Sequence, residues 1–180
     1  YGGTIDKFIG DSVMVFFGDP ETNGAKEDAA ACCDMAMEML TFLENNQQHV
    51  QEMYNFPEKL EVRVGIHNGL CNVGNFGSAQ RLDYTAIGRA VNVASRLEQA
   101  APKNSILVSS AVHNLIKDKF ETSSQIDVKA KGIDKPIASY VLTKKTAEDK
   151  KIRKEIDGLK VEYDPQKIDR ETLLKFIDEL

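Results

Sequence analysis

Two stretches of the sequence carry side chains suited to a phosphorylated ligand. The first, Lys7-Phe8-Ile9-Gly10-Asp11, places a carboxylate at the tip of an expected turn. An aspartate held there can reach a divalent cation and the phosphates that the cation carries. The second runs from Asp83 to Glu98 and holds Asn92 and Arg96. A spacing of four stacks both on one helix face, where they can address one ligand. An amide beside a guanidinium suits a sugar oxygen next to a phosphate. Each stretch alone also has a plainer reading. Gly-Asp is a common turn pair, and Asn92 and Arg96 would then be a surface amide and a helix-face arginine paired with some carboxylate.

The elements that must position these groups follow from the pattern. Thr4–Ile9 and Ser12–Phe17 are β-prone runs around Gly10-Asp11, which predicts a tight hairpin. Lys26 to about Val50 predicts an amphipathic helix that buries Ala29, Cys33, Ala36, Met37, Leu40 and Leu43. Leu60–His67 alternates apolar and polar residues as a half-buried strand does. A glycine-rich hairpin is expected over Gly69–Gly77, a short strand over Tyr84–Ile87, and a helix over Arg89–Ala101 that Pro102-Lys103-Asn104 ends. Ile106–Ser109 predicts a strand, Ala111–Lys117 a short helix, and Ile126–Lys131 with Ile137–Leu142 a last hairpin.

Strands and helices mix without regular βαβ alternation, so the expected class is α+β: an antiparallel sheet with helices on one face. The expected division is a domain over 1–143 and an appendage over 144–180. In the appendage Lys144–Lys160 reads as a charged, solvated linker or helix, and Asp169–Leu180 as an amphipathic helix with Leu173, Leu174, Phe176, Ile177 and Leu180 on one face.

Composition excludes some classes. A chain of 180 residues has room for one domain with a real core and a short appendage. A net charge of -5 with no basic stripe argues against nucleic acid as the main partner. No stretch approaches the ~20 apolar residues of a membrane span. Three cysteines, Cys32, Cys33 and Cys71, form neither a disulfide framework nor a zinc spacing, which points to a reducing, cytoplasmic setting. Membrane attachment of a parent chain is left open.

Three motifs taken in order are more specific than any one. Gly-Gly-Thr-Ile-Asp-Lys-Phe-Ile-Gly-Asp, then Val-Gly-Ile-His-Asn-Gly, then Asp-Tyr-Thr-Ala-Ile-Gly-Arg-Ala-Val-Asn-Val-Ala-Ser-Arg-Leu-Glu, resemble the class III adenylyl and guanylyl cyclase catalytic domain from Tyr1 to about Leu142. The resemblance implies a ferredoxin-like antiparallel sheet with helices packed on it. It implies ATP as substrate, two Mg²⁺ or Mn²⁺ ions as cofactors, and a head-to-tail homodimer whose sites draw on both protomers. By position, Asp11 matches a metal-binding aspartate. Lys7 and Thr85 match the pair that reads the purine, and Asn92 the residue that orients the ribose. Arg96 matches the arginine that stabilises charge at the α-phosphate, and Lys129 a lysine that grips the polyphosphate.

The implied reaction is a two-metal, in-line attack of the ribose 3′ oxygen on the α-phosphorus, releasing pyrophosphate. The purine pair agrees with adenine, whose ring N1 accepts from a lysine and whose amine donates to a threonine. Guanine would turn a ring N–H towards Lys7, which has no acceptor. His67 lies in a strand alternation and reads as structural.

One family feature has no match. The first metal aspartate belongs to an opening strand, and that strand and the helices after it are expected to be absent from this chain, with a sensor or regulatory domain expected upstream. The alternative reading is a cyclase-like module that dimerises or binds nucleotide without turnover. A diguanylate cyclase is disfavoured because no Gly-Gly-Glu-Glu-Phe signature occurs.

Overall fold

The structure, a computed structural model, describes residues 1–129 and 136–145, with the backbone strands of 152–156 and 159–163. The chain forms two compact units, Tyr1–Lys145 and Thr146–Leu180.

The first unit opens with the expected hairpin, β1 (Thr4–Ile9) and β2 (Ser12–Phe16). Helix α1 follows over Ala25–Tyr54, longer than predicted because nothing before Asn55 breaks it. Asn55 ends it in the left-handed region at φ 53, a conformation asparagine tolerates. Strand β3 covers only Arg63–Ile66. The expected strand began at Leu60, but the Gln47 side chain takes both polar backbone groups of Leu60, at 2.8 and 3.1 Å. Asn104 does the same for Val62 through its side chain and its own N–H. The alternation is real, yet side chains and a loop replace a neighbouring strand there.

Next comes one long hairpin, β4 (Asn72–Ser78) and β5 (Arg81–Ile87). The expected glycine-rich hairpin over Gly69–Gly77 is corrected here. Gly74 and Gly77 lie inside β4, opposite Thr85 and Leu82, and the chain turns after Ser78.

Helix α2 (Arg89–Ala100), β6 (Ser105–Ser109) and α3 (Ser110–Ile116) match expectation within a residue or two. Strand β7 (Phe120–Thr122) was not foreseen. Strands β8 (Ile126–Val128) and β9 (Ile137–Lys145) pair antiparallel as expected. The main sheet runs β3-β6-β9-β7, with β8 also on β9. The β3–β6 pair is parallel and the remaining pairs are antiparallel.

Helices cover both faces of this sheet rather than one. Ile106 and Val108 of β6 join Ala29, Cys33 and Ala36 of α1 and Val112 and Ile116 of α3. Leu107, between them in sequence, packs instead with Val93 and Leu97 of α2. A continuous apolar run suits a strand buried on both sides. The cysteines are free. Burial pushes the Cys32 thiol up to about 12 and raises that of Cys33 as well.

In the second unit, β10 (Ile152–Ile156) and β11 (Leu159–Tyr163) pair antiparallel, with Ile156 opposite Leu159. Composition had read Lys144–Lys160 as linker or helix. The overlooked signal is Asp157-Gly158, a hairpin dipeptide between alternating runs. The amphipathic helix expected over Asp169–Leu180 lies outside the described residues, and so does Lys131.

Candidate active site

The hairpin β1–β2 turns at Gly10, whose φ of 64 is cheap only without a Cβ. Asp11 stands exposed at its tip, as the spacing predicted. Strand β1 is not regular. Ile5 pairs with Val15 and Lys7 with Met14, so Asp6 is the extra residue of a β-bulge. Bulges turn side chains out of the strict alternation of a strand. Here the neighbours Asp6 and Lys7 meet, with Lys7 Nζ 3.7 Å from Asp6 Oδ1.

Asp6 is the buried partner of the two. Its side chain is 1% exposed against 42% for Lys7. Its Oδ2 accepts from the Thr85 hydroxyl at 2.9 Å and from the Ala86 N–H at 3.4 Å. Its Oδ1 is buried and, among the described residues, has no hydrogen-bond partner. Lys7 and Thr85, paired in the sequence reading, are therefore joined through a carboxylate which that reading passed over. The available signal was the adjacent polar pair Asp6-Lys7, which breaks the two-residue period of β1.

Other contacts hold the two hairpins together. Thr4 donates to the Asp19 carbonyl at 2.8 Å, Tyr84 donates to the Asp19 carboxylate, and the Phe16 and Tyr84 rings lie 6.4 Å apart.

Helix α2 carries Asn92 and Arg96. It is seated by a close approach at Gly65, where any Cβ would come within 2.2 Å of the Glu98 nitrogen and 2.4 Å of the Ala94 oxygen. Val93 and Leu97 face the core, which leaves Asn92 exposed and Arg96 half-buried on another side. Arg96 Nη1 donates to Gln99 Oε1 at 2.9 Å, a partner on its own helix. Lys129 is exposed just after β8. Among the described residues, no hydrogen bond or ion pair joins Asp11, Asn92, Arg96 and Lys129 to one another.

His67 hydrogen-bonds through Nδ1 to Ser109 Oγ at 2.9 Å, and Ser109 also caps α3. Burial, and then the Arg89 charge, lower its pKa below the ordinary histidine value.

A pair of divalent ions needs several acidic donors placed together. Among the described residues no three His, Cys, Asp or Glu side chains are grouped to hold a metal. Asp11 alone does not complete a two-ion site.

A sequence profile described as the Adenylate and Guanylate cyclase catalytic domain matches residues 5–144. The chain belongs to this family. The adenylate cyclase of Anabaena cylindrica is 36% identical to this cyclase domain over 144 residues. The match takes in 77% of this chain but 28% of that relative. The crystal structure of the adenylyl cyclase CyaB from P. aeruginosa is 44% identical, with a TM-score of 0.77, covering 82% of this chain and 74% of that one. The crystal structure of the guanylyl cyclase Cya2 is 30% identical, with a TM-score of 0.74, covering 82% and 73%. These matches bear out the α+β cyclase fold. An adenylyl and a guanylyl cyclase match it almost equally well in fold, so the fold alone does not name the purine.

Proposed function

We propose that this chain is the catalytic part of an adenylate cyclase, which converts ATP to 3′,5′-cyclic AMP and pyrophosphate. The observation that carries the reading is the convergence of Lys7 and Thr85 on one buried carboxylate. An ammonium offers only donors, which suits the acceptor at adenine N1 and repels the ring N–H of guanine. Higher identity to the adenylyl than to the guanylyl structure supports the same choice.

In this reading Asn92 orients the ribose and Lys129 holds the polyphosphate. The 3′ oxygen forms its bond to the α-phosphorus as the bond to pyrophosphate breaks, and Arg96 stabilises the charge that develops. Asp11 would be one ligand of a Mg²⁺ or Mn²⁺ ion. The sites lie between two copies arranged head to tail. Large exposed apolar residues on the two hairpins support this, among them Phe8, Ile9, Leu82 and Ile87. Residues 1–143 are the catalytic unit and 144–180 an appendage, close to the division at Lys145. The short span of the Anabaena relative that is matched supports a sensor or regulatory region elsewhere in the whole protein.

A second reading, a cyclase-like module without turnover, is favoured by the lack of a grouped acidic donor set among the described residues. Assays of the whole protein with ATP and GTP separate the two. Preferential cyclic AMP formation is expected. Equal use of both nucleotides would sink the adenylate assignment, and ATP binding without turnover would favour the silent module.

A further inference from the structure

We infer that Asp6 is a positioning residue for nucleotide choice: its buried carboxylate fixes the Thr85 hydroxyl as a hydrogen-bond acceptor and holds the Lys7 ammonium beside it. The inference rests on the adenylate reading and deepens it.

The argument starts from the ambiguity of threonine. A hydroxyl can donate or accept, so by itself Thr85 would tolerate either the amine of adenine or the oxygen of guanine. A carboxylate only accepts. Asp6 Oδ2 lies 2.9 Å from Thr85 Oγ1, so the single hydroxyl proton points at Asp6. What Thr85 then offers any other group is lone pairs, which attract an exocyclic amine and repel a carbonyl oxygen. The Ala86 N–H fixes the same carboxylate oxygen from the backbone of β5, so the acceptor cannot easily swing away.

Lys7 is treated similarly. Asp6 Oδ1 is buried without a hydrogen bond among the described residues, and the ammonium 3.7 Å away is its nearby counter-charge. An unpaired buried oxygen is costly, so drawing Lys7 towards it is favourable. Lys7 keeps the larger exposed face, and Thr85, 4% exposed, meets a ligand only at an edge. The bulge at Asp6 makes the arrangement, because in a regular strand its side chain and that of Lys7 would point to opposite faces.

The test is the ratio of kcat/KM for ATP to that for GTP in the whole protein carrying Asp6→Asn or Asp6→Ala. A purely structural role would lower both nucleotides together and leave the ratio alone. The expected result is a fall in the ratio of about tenfold or more, the size of one lost discriminating hydrogen bond. Asp6→Asn keeps the shape, and its amide can donate to Thr85, so it serves if Asp6→Ala does not fold. A third arm needs no variant. The unaltered protein should use ATP best, purine riboside triphosphate less well, and its 6-methoxy analogue worst, since that analogue sets an oxygen against a fixed acceptor. An unchanged ratio in folded Asp6 variants, or better use of the 6-methoxy analogue than of the unsubstituted purine, would overturn the inference. A wild-type protein that does not prefer ATP at all would instead overturn the adenylate reading.

Discussion

The carboxylate of Asp6 accepts a 2.9 Å hydrogen bond from the hydroxyl of Thr85, a residue 79 positions further along the chain. The bond ties the bulged strand β1 to β5, which belong to separate two-stranded sheets. It is one of few polar links between the hairpins, and it lies beside the exposed Lys7. Two hairpins that share a buried carboxylate cannot shift past each other without breaking that bond. The geometry proposed to read a base would therefore be set before any ligand arrives.

If the sites form between two copies, two inactive chains should rescue each other. Asp11→Ala and Arg96→Ala each remove one side of the composite site. Mixed, they should recover partial cyclic AMP synthesis, because one of the two sites in a mixed dimer is then intact. Lack of recovery with mixed dimers demonstrated by mass would place the site within one chain.

The 180 residues alone should make no cyclic AMP above background, even with manganese. Magnesium and manganese sites of this kind need carboxylates placed together, and among the described residues no three His, Cys, Asp or Glu side chains are grouped to hold a metal. A radiolabelled-ATP assay measures this directly. Robust synthesis would mean that the carboxylates these residues supply suffice for the reaction.

Gly65→Ala should destabilise the domain by about 3 kcal/mol, the upper end of overpacking costs. The added methyl would meet backbone atoms of α2 at 2.2 and 2.4 Å, and backbone cannot yield as a flexible side chain does. Denaturant unfolding should show a lower midpoint with an unchanged slope. An unshifted midpoint would mean that α2 is seated less closely than this.

Stability should fall on mild acidification through His67. Its folded pKa lies below the ordinary value of 6.5, because burial and Arg89 disfavour the imidazolium. In the window below 6.5 the unfolded chain binds more protons than the folded one, so stability rises with pH there and is lost as pH falls. Melting temperatures from pH 7.5 to 5.5 should drop less in His67→Gln than in the native protein. Parallel curves for the two would exclude His67 as a source of the slope.

Local chemistry alone determined much of this protein. Gly10-Asp11 between apolar runs specified a hairpin with an exposed aspartate, because a turn needs only its own residues and their φ angles. The four-residue spacing of Asn92 and Arg96 specified that both lie on one side of α2. Motif order was enough to indicate the family. Other features required the assembled structure. Leu60 alternates as a strand residue should, yet Gln47 captured its backbone, a competition between partners 13 positions apart. Sheet coverage depended on which helix reached each face of β6. Asp6 looked like one more polar residue of an edge strand, because burial is a property of what packs above it. Only when the bulge turned it towards Thr85 did Lys7 and Thr85, the proposed readers of a base, acquire a common anchor. A carboxylate's environment is made by residues distant in sequence, and no local pattern encodes that distance.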